Sequence, residues 1–536
     1  GTDGIRGSVS LEAVEEEESI RLIEHERTLT PAFMRLVGEA LSYTRPALPG
    51  EGEVVVVGWD RRPGNAALVA ALTLGLRLTG SHVIHIGECA TPTLHRAVLA
   101  FGARAGCMIT ASHNPVADSG IKVFDSFGYK SNRTYEADVS QTVRQLAEED
   151  RDVDAVDREA LALPDEAHHD WSEGAHRTWL AQRWSQFERV FGVWNGADSE
   201  RFASPLLIDG ANGFGASWLA EFLHERGVNC REVSSPSGVL NEGCGAGDLS
   251  PTATWTHQEV EASPHVLLKA LKPAPKGQIV GAALDGDGDR CLFIQATGTG
   301  FAVVDGDAMA AMLLGAAADR PWSFAASIES DVALFGHVQS LNAQTECIET
   351  AVGDRWLSYA LRPSEGGWLR DATMPASCGI EDSGHVVLPA PHPTVDEAWS
   401  LVGDGAATLC AVLLAAAQQT SVVFDRGWKK RVSVKDSHRE RWQASSDVFS
   451  STEEYLRTAF SELGFEAQRR RIDGEPDLLL MHGHSMEGVA SFGIRNSGTQ
   501  AKTSLSVRLS KDLDPSPFEK LLDAVTADLA AVLTAD

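Results

Sequence analysis

Between residues 54 and 112 the chain alternates short apolar runs with helix-length segments: VVVVG, a helical run ending near Gly80, HVIHIG, TPTLHRAVLAFG and then GCMITAS. Strand, helix, strand, helix, strand favours parallel pairing, because parallel strands need a crossover of a dozen or more residues between them. The pattern restarts with PLLIDG (205–210), a glycine-rich helix ANGFGASWLAEFLHERG and the strand VNCREV, so a second α/β unit follows the first. QIVGAAL and CLFI bracket a loop at 285–290, and VVDGDAMAAMLLGAAA opens a third unit. FGIRNSGTQ and the amphipathic run FEKLLDAVTADLAAVL end the chain as a smaller α+β unit.

With 536 residues, at roughly 100–200 per domain, three to five domains are expected. The divisions are placed at 1–171, 172–297, 298–427 and 428–536. The polar, acid-rich stretch 148–171 reads as a surface excursion at the first of them. A formal charge of -29 disfavours nucleic-acid and anionic-membrane partners, which such a surface would repel. The longest apolar stretch, AATLCAVLLAAA (406–417), is too short for a bilayer and reads as a buried helix. Eight cysteines without a CxxC suggest neither a disulfide framework nor a zinc site, and fit a reducing, cytoplasmic compartment. The chain starts at Gly1 without a methionine or signal-like segment, so its true start is expected upstream.

Four loops carry chemistry. TASHNP (110–115) follows an apolar strand, where α/β sheets expose functional groups, although Ser, Asn and Pro also build ordinary turns. DGDGDR (285–290) alternates three carboxylates with glycines. Carboxylates so close repel unless a cation neutralises them, oxygen ligands at this density suit Mg²⁺, and the glycines let the backbone curl around the ion. An EF-hand would need Glu where Ala296 stands; a solvated acidic turn is the plainer alternative. RNSGT (495–499) offers an arginine fork, two hydroxyls and a glycine-freed backbone for a phosphate that is not transferred, or else a surface turn. EDSGH (381–385) offers a carboxylate, a hydroxyl and an imidazole for sugar hydroxyls. One loop falls in each expected unit, in an order that can converge on one cleft.

With GTDGIRG (1–7), TASHNP, DSGIKVF (118–124), DGDGDR, VGDRW (352–356), EDSGH and RNSGT together, nearly the whole chain resembles the α-D-phosphohexomutase family. The resemblance implies three α/β domains with mixed sheets and a smaller C-terminal α+β domain around a central cleft. It implies a phosphoserine at Ser112 and one Mg²⁺ held by Ser112, Asp285, Asp287 and Asp289. Arg6, His113, Asn114, Lys122 and Arg290 would surround the reacting phosphate. Glu381, Ser383 and His385 would touch the sugar, and Arg495, Ser497, Gly498 and Thr499 would hold the distal phosphate. Lys122 and His385 are the candidates for proton transfer. The implied reaction moves a phosphoryl group within a hexose phosphate through a bisphosphate, which serves as intermediate and activator, in a monomer or homodimer.

GTDGIRG and VGDRW look most like phosphoglucosamine mutases, whereas LNEGCGAGD (240–248) resembles acetylglucosamine-phosphate mutases; glucose and mannose phosphates stay open. The phosphate loop departs from the family, with Gln500 and Ala501 where Glu-Pro is usual. The acidic segment 12–26 looks like an insertion. A phosphatase with an aspartate nucleophile would want Thr or Val where Asp289 stands. A dinucleotide site on DGANGFGA (209–216) lacks GxGxxG spacing, and no GxxxxGK[ST] is present. A sugar-phosphate-binding paralogue without activity is the remaining rival.

Overall fold

The apolar run VVVVG forms the strand Val54–Trp59, and its two neighbours, His82–Glu88 and Ala105–Ile109, pair with it in parallel, joined by the helices Asn65–Leu78 and Thr91–Ala100. The sheet then turns mixed. Asp118–Asp125 pairs antiparallel with Ala105–Ile109, and Ile5–Val9 antiparallel with Asp118–Asp125, giving six strands in all. The structure is a computed structural model describing residues 4–44, 53–149, 171–195, 200–364, 366–419, 424–497 and 502–534. The acidic segment contributes the helix Glu16–Arg21, which packs on the helix Pro31–Tyr43 with Arg35 reaching Glu16. Most of the excursion 148–171 lies outside the described residues.

The next two units repeat the plan. In the second, Cys230–Glu232, Phe202–Asp209 and Ile279–Leu284 run parallel, and Cys291–Ala296 returns antiparallel to Ile279–Leu284. In the third, Glu346–Thr350, Ser323–Ser327 and Ser377–Ile380 run parallel, and Val386–Pro391 returns antiparallel to Ser377–Ile380. The fourth unit is a five-stranded antiparallel sheet in which Val489–Asn496 pairs with Lys502–Leu509, backed by the helices Asp447–Glu462 and Ser516–Leu533. Each of the four chemistry-bearing loops is therefore the connection between two antiparallel neighbours. The expected division at 297/298 needs correcting: Gly300–Val304 pairs with Cys291–Ala296, so the second sheet extends to Val304.

The apolar stretch 406–417 lies in the helix Gly405–Ala417, buried from Gly405 to Ala416. Its start is capped by Asp404, whose side chain accepts from Ala407 N at 3.0 Å. Gly405 N donates to the carbonyl of Gly288 at 2.9 Å, so this helix from the third unit rests on the DGDGDR loop of the second. The long helix Trp171–Phe191 ties the units further: Arg183 donates to Asp404 at 2.7 Å, and Trp179 Nε1 donates to the carbonyl of Pro391 at 2.9 Å. Units two and three share one continuous apolar core, whereas the first and fourth units have cores of their own and meet the third through smaller apolar clusters. Among the described residues no helix is long and apolar enough to cross a membrane.

At the edge of the second sheet, Glu232 Oε1 accepts from Gly210 N at 3.0 Å, Ser234 N at 2.9 Å and Ser234 Oγ at 2.7 Å, holding the turn after Asp209. Burial pushes its carboxyl up to about 7. A carboxyl raised above its unfolded value contributes fully below that value, about 4.3, and its contribution is lost as pH rises through the folded value. Glu232→Gln cannot ionise. Its stability relative to the parent should climb between about pH 4.5 and 7.5 and then level off, measured by urea denaturation across that range; a difference independent of pH would contradict this account.

Candidate active site

Ser112 is fully buried and holds a left-handed backbone, φ 53°. For a residue with a side chain this costs ~1–2 kcal/mol, so the surroundings must over-determine it. They do. Ser112 N donates to Thr110 Oγ1 at 2.8 Å, and Thr110 Oγ1 donates to Asp60 at 2.6 Å. The Arg62 guanidinium donates to the carbonyls of Ser112 at 2.7 Å, Asn114 at 3.0 Å and Asp118 at 2.8 Å, and also reaches that of Pro115. Asn241 Nδ2 adds a bond to the Ser112 carbonyl at 2.8 Å. Hydrogen bonds to charged groups contribute ~1.5–3 kcal/mol each, enough to offset the strain. Ser112 Oγ is thereby aimed at Asp285, donating to Oδ2 at 2.7 Å.

The DGDGDR loop buries Asp285, Asp287 and Asp289 to 1% exposure or less. Asp285 Oδ1 accepts from the amides of Asp289 and Arg290 at 3.1 and 3.2 Å, curling the loop around its own first carboxylate. Gly288 takes a positive φ of 71°, and a side chain on Gly286 would meet Asn241 and the Ser112 carbonyl. Lys122 Nζ donates to Asp287 at 2.6 Å and Asp289 at 2.7 Å, and Thr91 Oγ1 donates to Asp287 at 2.5 Å. Burial, with Asp287 and Asp289 beside it, drives the Asp285 carboxyl well above the usual range. Burial opposes ionisation of Asp287 too, but Lys122 and Thr91 keep it below its ordinary value.

From the third unit, His385 comes against this loop. Arg290 Nε donates to His385 Nε2 at 2.8 Å, which puts the imidazole proton on Nδ1, 3.7 Å from Asp289. Burial lowers His385 to about 4, so the ring is neutral at pH 7. Glu381 accepts from Gly353 N at 2.6 Å and is pushed up to about 7 by burial, with Arg290 pulling the other way. Ser383 is partly exposed beside it. Arg6 donates to the carbonyl of Ala111 at 3.1 Å and to Asn114 Oδ1 at 3.5 Å. His113 is held well below its usual range by burial and by Arg290 and Arg6.

Ser112, the three aspartates, Lys122, Arg6, His113, Asn114, Arg290 and His385 thus meet from three units. Arg495 stands apart from them and donates to Glu329 at 3.1 Å. Ser497 N closes its loop on the carbonyl of Lys502 at 2.8 Å, while Gly498 and Thr499, with Gln500 and Ala501, lie outside the described residues.

Three further residues join the site from outside the four motifs. Lys130 Nζ donates to Asp354 at 2.8 Å and lies 3.6 Å from Asp289. A signal for it exists: Lys122 and Lys130 are the only lysines before Lys269, and Asp354 belongs to the VGDRW segment. Arg62 sits in an unremarkable RRPG turn. Asn241 belongs to LNEGCGAGD, and its side chain braces the serine loop.

The donor set fits a hard divalent cation. Oxygens of Asp285, Asp287 and Asp289 all lie within 4.8 Å of one another, and the buried Asp287 Oδ1 has no hydrogen-bond partner.

The sequence model described as Phosphoglucomutase/phosphomannomutase, alpha/beta/alpha domain I matches residues 1–150, and that of alpha/beta/alpha domain III matches residues 305–430. The phosphoglucosamine mutase of Kineococcus radiotolerans is 30% identical over 404 residues, spanning 74% of this chain and 75% of its own. A phosphoglucomutase/phosphomannomutase family protein from Burkholderia thailandensis superposes with a TM-score of 0.60 at 18% identity, covering 99% of this chain and 97% of that one. Aspergillus fumigatus N-acetylphosphoglucosamine mutase in complex with GlcNAc-6P and magnesium superposes with a TM-score of 0.55 at 16% identity, covering 94% and 100%.

Mg²⁺ at a hundred times its dissociation constant should stabilise the protein by about 2.7 kcal/mol, seen as a rise in melting temperature. In Asp287→Asn that Mg²⁺-dependent rise should disappear, whatever the variant's own melting temperature. An equal rise in both proteins would place the ion elsewhere.

Proposed function

Because the chain belongs to the α-D-phosphohexomutase family, and so to the mutases among the isomerases, we propose that it moves a phosphoryl group between O6 and O1 of a hexose phosphate through a phosphoserine at Ser112. Glucosamine 6-phosphate and glucosamine 1-phosphate are the proposed pair. The observation that carries the mechanism is the aim of Ser112 Oγ at Asp285 from a strained, heavily braced loop. Glucosamine is supported by the likeness to phosphoglucosamine mutases along three quarters of the chain. N-acetylglucosamine phosphate is the alternative that the likeness of LNEGCGAGD supports. Mannose and glucose phosphates remain as alternatives for the same site.

In the forward step the bond from phosphorus to Ser112 Oγ breaks while one to the sugar hydroxyl forms, and the hydroxyl proton passes to a base. Lys122 and His385 are the two candidates for that role. The resulting bisphosphate turns over in the cleft and returns its other phosphate to Ser112. Arg6, His113 and Asn114 would hold the reacting phosphate, and Glu381 and Ser383 the sugar. A Mg²⁺ held by Asp285, Asp287 and Asp289 together with an oxygen on Ser112 would supply charge neutralisation. Charge balance favours the pairing: a phosphoserine brings ~-2 and the ion cancels it, so the buried site gains little net charge. Arg495 and Ser497, with Gly498 and Thr499, would hold the distal phosphate, and closure of the fourth unit would retain the intermediate.

A coupled assay of the Mg²⁺-loaded protein on glucosamine 6-phosphate, N-acetylglucosamine 6-phosphate, mannose 1-phosphate and glucose 1-phosphate should show one dominant substrate, the first, and Ser112→Ala should abolish turnover. No turnover after bisphosphate priming would favour the binding paralogue. Arg62→Lys replaces the fork on the serine-loop carbonyls with a single ammonium. It should lower kcat about ten- to a hundredfold, since one or two charged hydrogen bonds are lost, with KM little changed. An unchanged kcat would mean that the loop holds its shape without Arg62.

A further inference from the structure

Glu329 follows the strand Ser323–Ser327 at its C-terminal end, on the third unit, and its side chain is 11% exposed. Two arginines of the fourth unit grip it. Arg495 donates to Oε1 through Nη2 at 3.1 Å and Nε at 3.4 Å, and Arg431 Nη2 lies 3.0 Å from Oε2. Each arginine has a second acid: Arg431 donates to Asp382 at 3.1 Å, and Arg495 lies 3.9 Å from Glu475. Neither guanidinium would be left buried without a counter-ion if Glu329 let go. The grip borders a cavity of about 220 Å³ that is also lined by Asp382, Lys429 and Arg508.

Two guanidiniums converging on one point are a donor arrangement suited to phosphate, and a carboxylate is the natural protein anion to fill it. Here the filler comes from the chain itself. We propose that Glu329 is a specificity-determining residue that stands in the place of the substrate's distal phosphate until the substrate arrives, so that binding exchanges one anion for another. The proposal rests on the reading of Arg495 as a ligand of the distal phosphate. A ligand must then outcompete a carboxylate already in position. A phosphate dianion, with more charge and more acceptor oxygens, does so; a sugar carrying a carboxylate gains nothing by the exchange. Exchange also limits affinity, which eases release of a bisphosphate that must turn over. Both arginines hold Glu329 ionised against the opposing effect of burial, so the competitor is present at neutral pH.

The experiment is a calorimetric titration of the full-length, Mg²⁺-loaded protein carrying Ser112→Ala, so that nothing turns over, with glucosamine 6-phosphate and separately with glucuronate. Adding Glu329→Gln should tighten glucosamine 6-phosphate binding on the order of tenfold and bring glucuronate binding, undetected in the parent, into the measurable range. Glu329→Asp keeps the charge but is too short to bridge both arginines, and should tighten binding by less. It also serves if the glutamine variant fails to fold by circular dichroism. Weaker or unchanged binding in the Glu329 variants would overturn the proposal, because Glu329 would then be positioning the arginines for the substrate or standing clear of it. Arg495→Gln separates the two readings: if it leaves affinity unchanged, the phosphate role of Arg495 falls, and with it this inference. If Arg495→Gln weakens binding and the Glu329 variants do not strengthen it, the inference alone falls.

Discussion

Asp285, Asp287 and Asp289 offer oxygens within 4.8 Å of one another in a loop with almost no access to water. Two like charges at about 4 Å repel by roughly 4 kcal/mol even at an effective dielectric near 20. Much of the architecture answers this repulsion. Lys122 arrives from the first unit, Arg290 from the loop itself, and Lys130 reaches Asp289 while paired with Asp354 of the third unit. The reacting serine, bonded to Asp285, is drawn into the same arrangement. Convergence of the units is in this sense an electrostatic requirement of one short loop.

The same turn geometry recurs. Every chemistry-bearing loop joins a strand to its antiparallel neighbour, and in the first three units the connection is short enough to be held rigidly by two paired strands. Rigid placement matters for phosphoryl transfer, where the protein contributes chiefly alignment and charge. The fourth unit differs: its loop arginine meets an acid of the third unit rather than the reacting centre, and its contacts with that unit combine ion pairs with a small apolar cluster of Ile328, Leu478 and Leu480.

Strand and helix order was legible because apolar runs and their spacing report burial directly, as VVVVG and the stretch 406–417 do. The four motifs were legible because each concentrates unusual chemistry in a few consecutive residues. Whatever depends on contact between distant segments was not. Arg62 matters through four carbonyls far along the chain, and Asn241 through the serine loop's backbone. Glu329 is one acid among many until two arginines close on it. The limit of the second unit was misplaced because a short strand, Gly300–Val304, looks in sequence like the start of the third unit. Pairing partners, which decide membership of a sheet, are not written in local composition.

The helix Gly405–Ala417 begins on a carbonyl of the metal-loop segment and lies in the apolar core shared by units two and three. For anyone recombining this chain with its relatives, those two units form one inheritable cassette. A crossover between them would pair a foreign helix start with a native loop and split a continuous core between two parents. Exchanges at the entry to the fourth unit would instead cut across charged contacts, which a matched pair of side chains can restore, and one small apolar cluster.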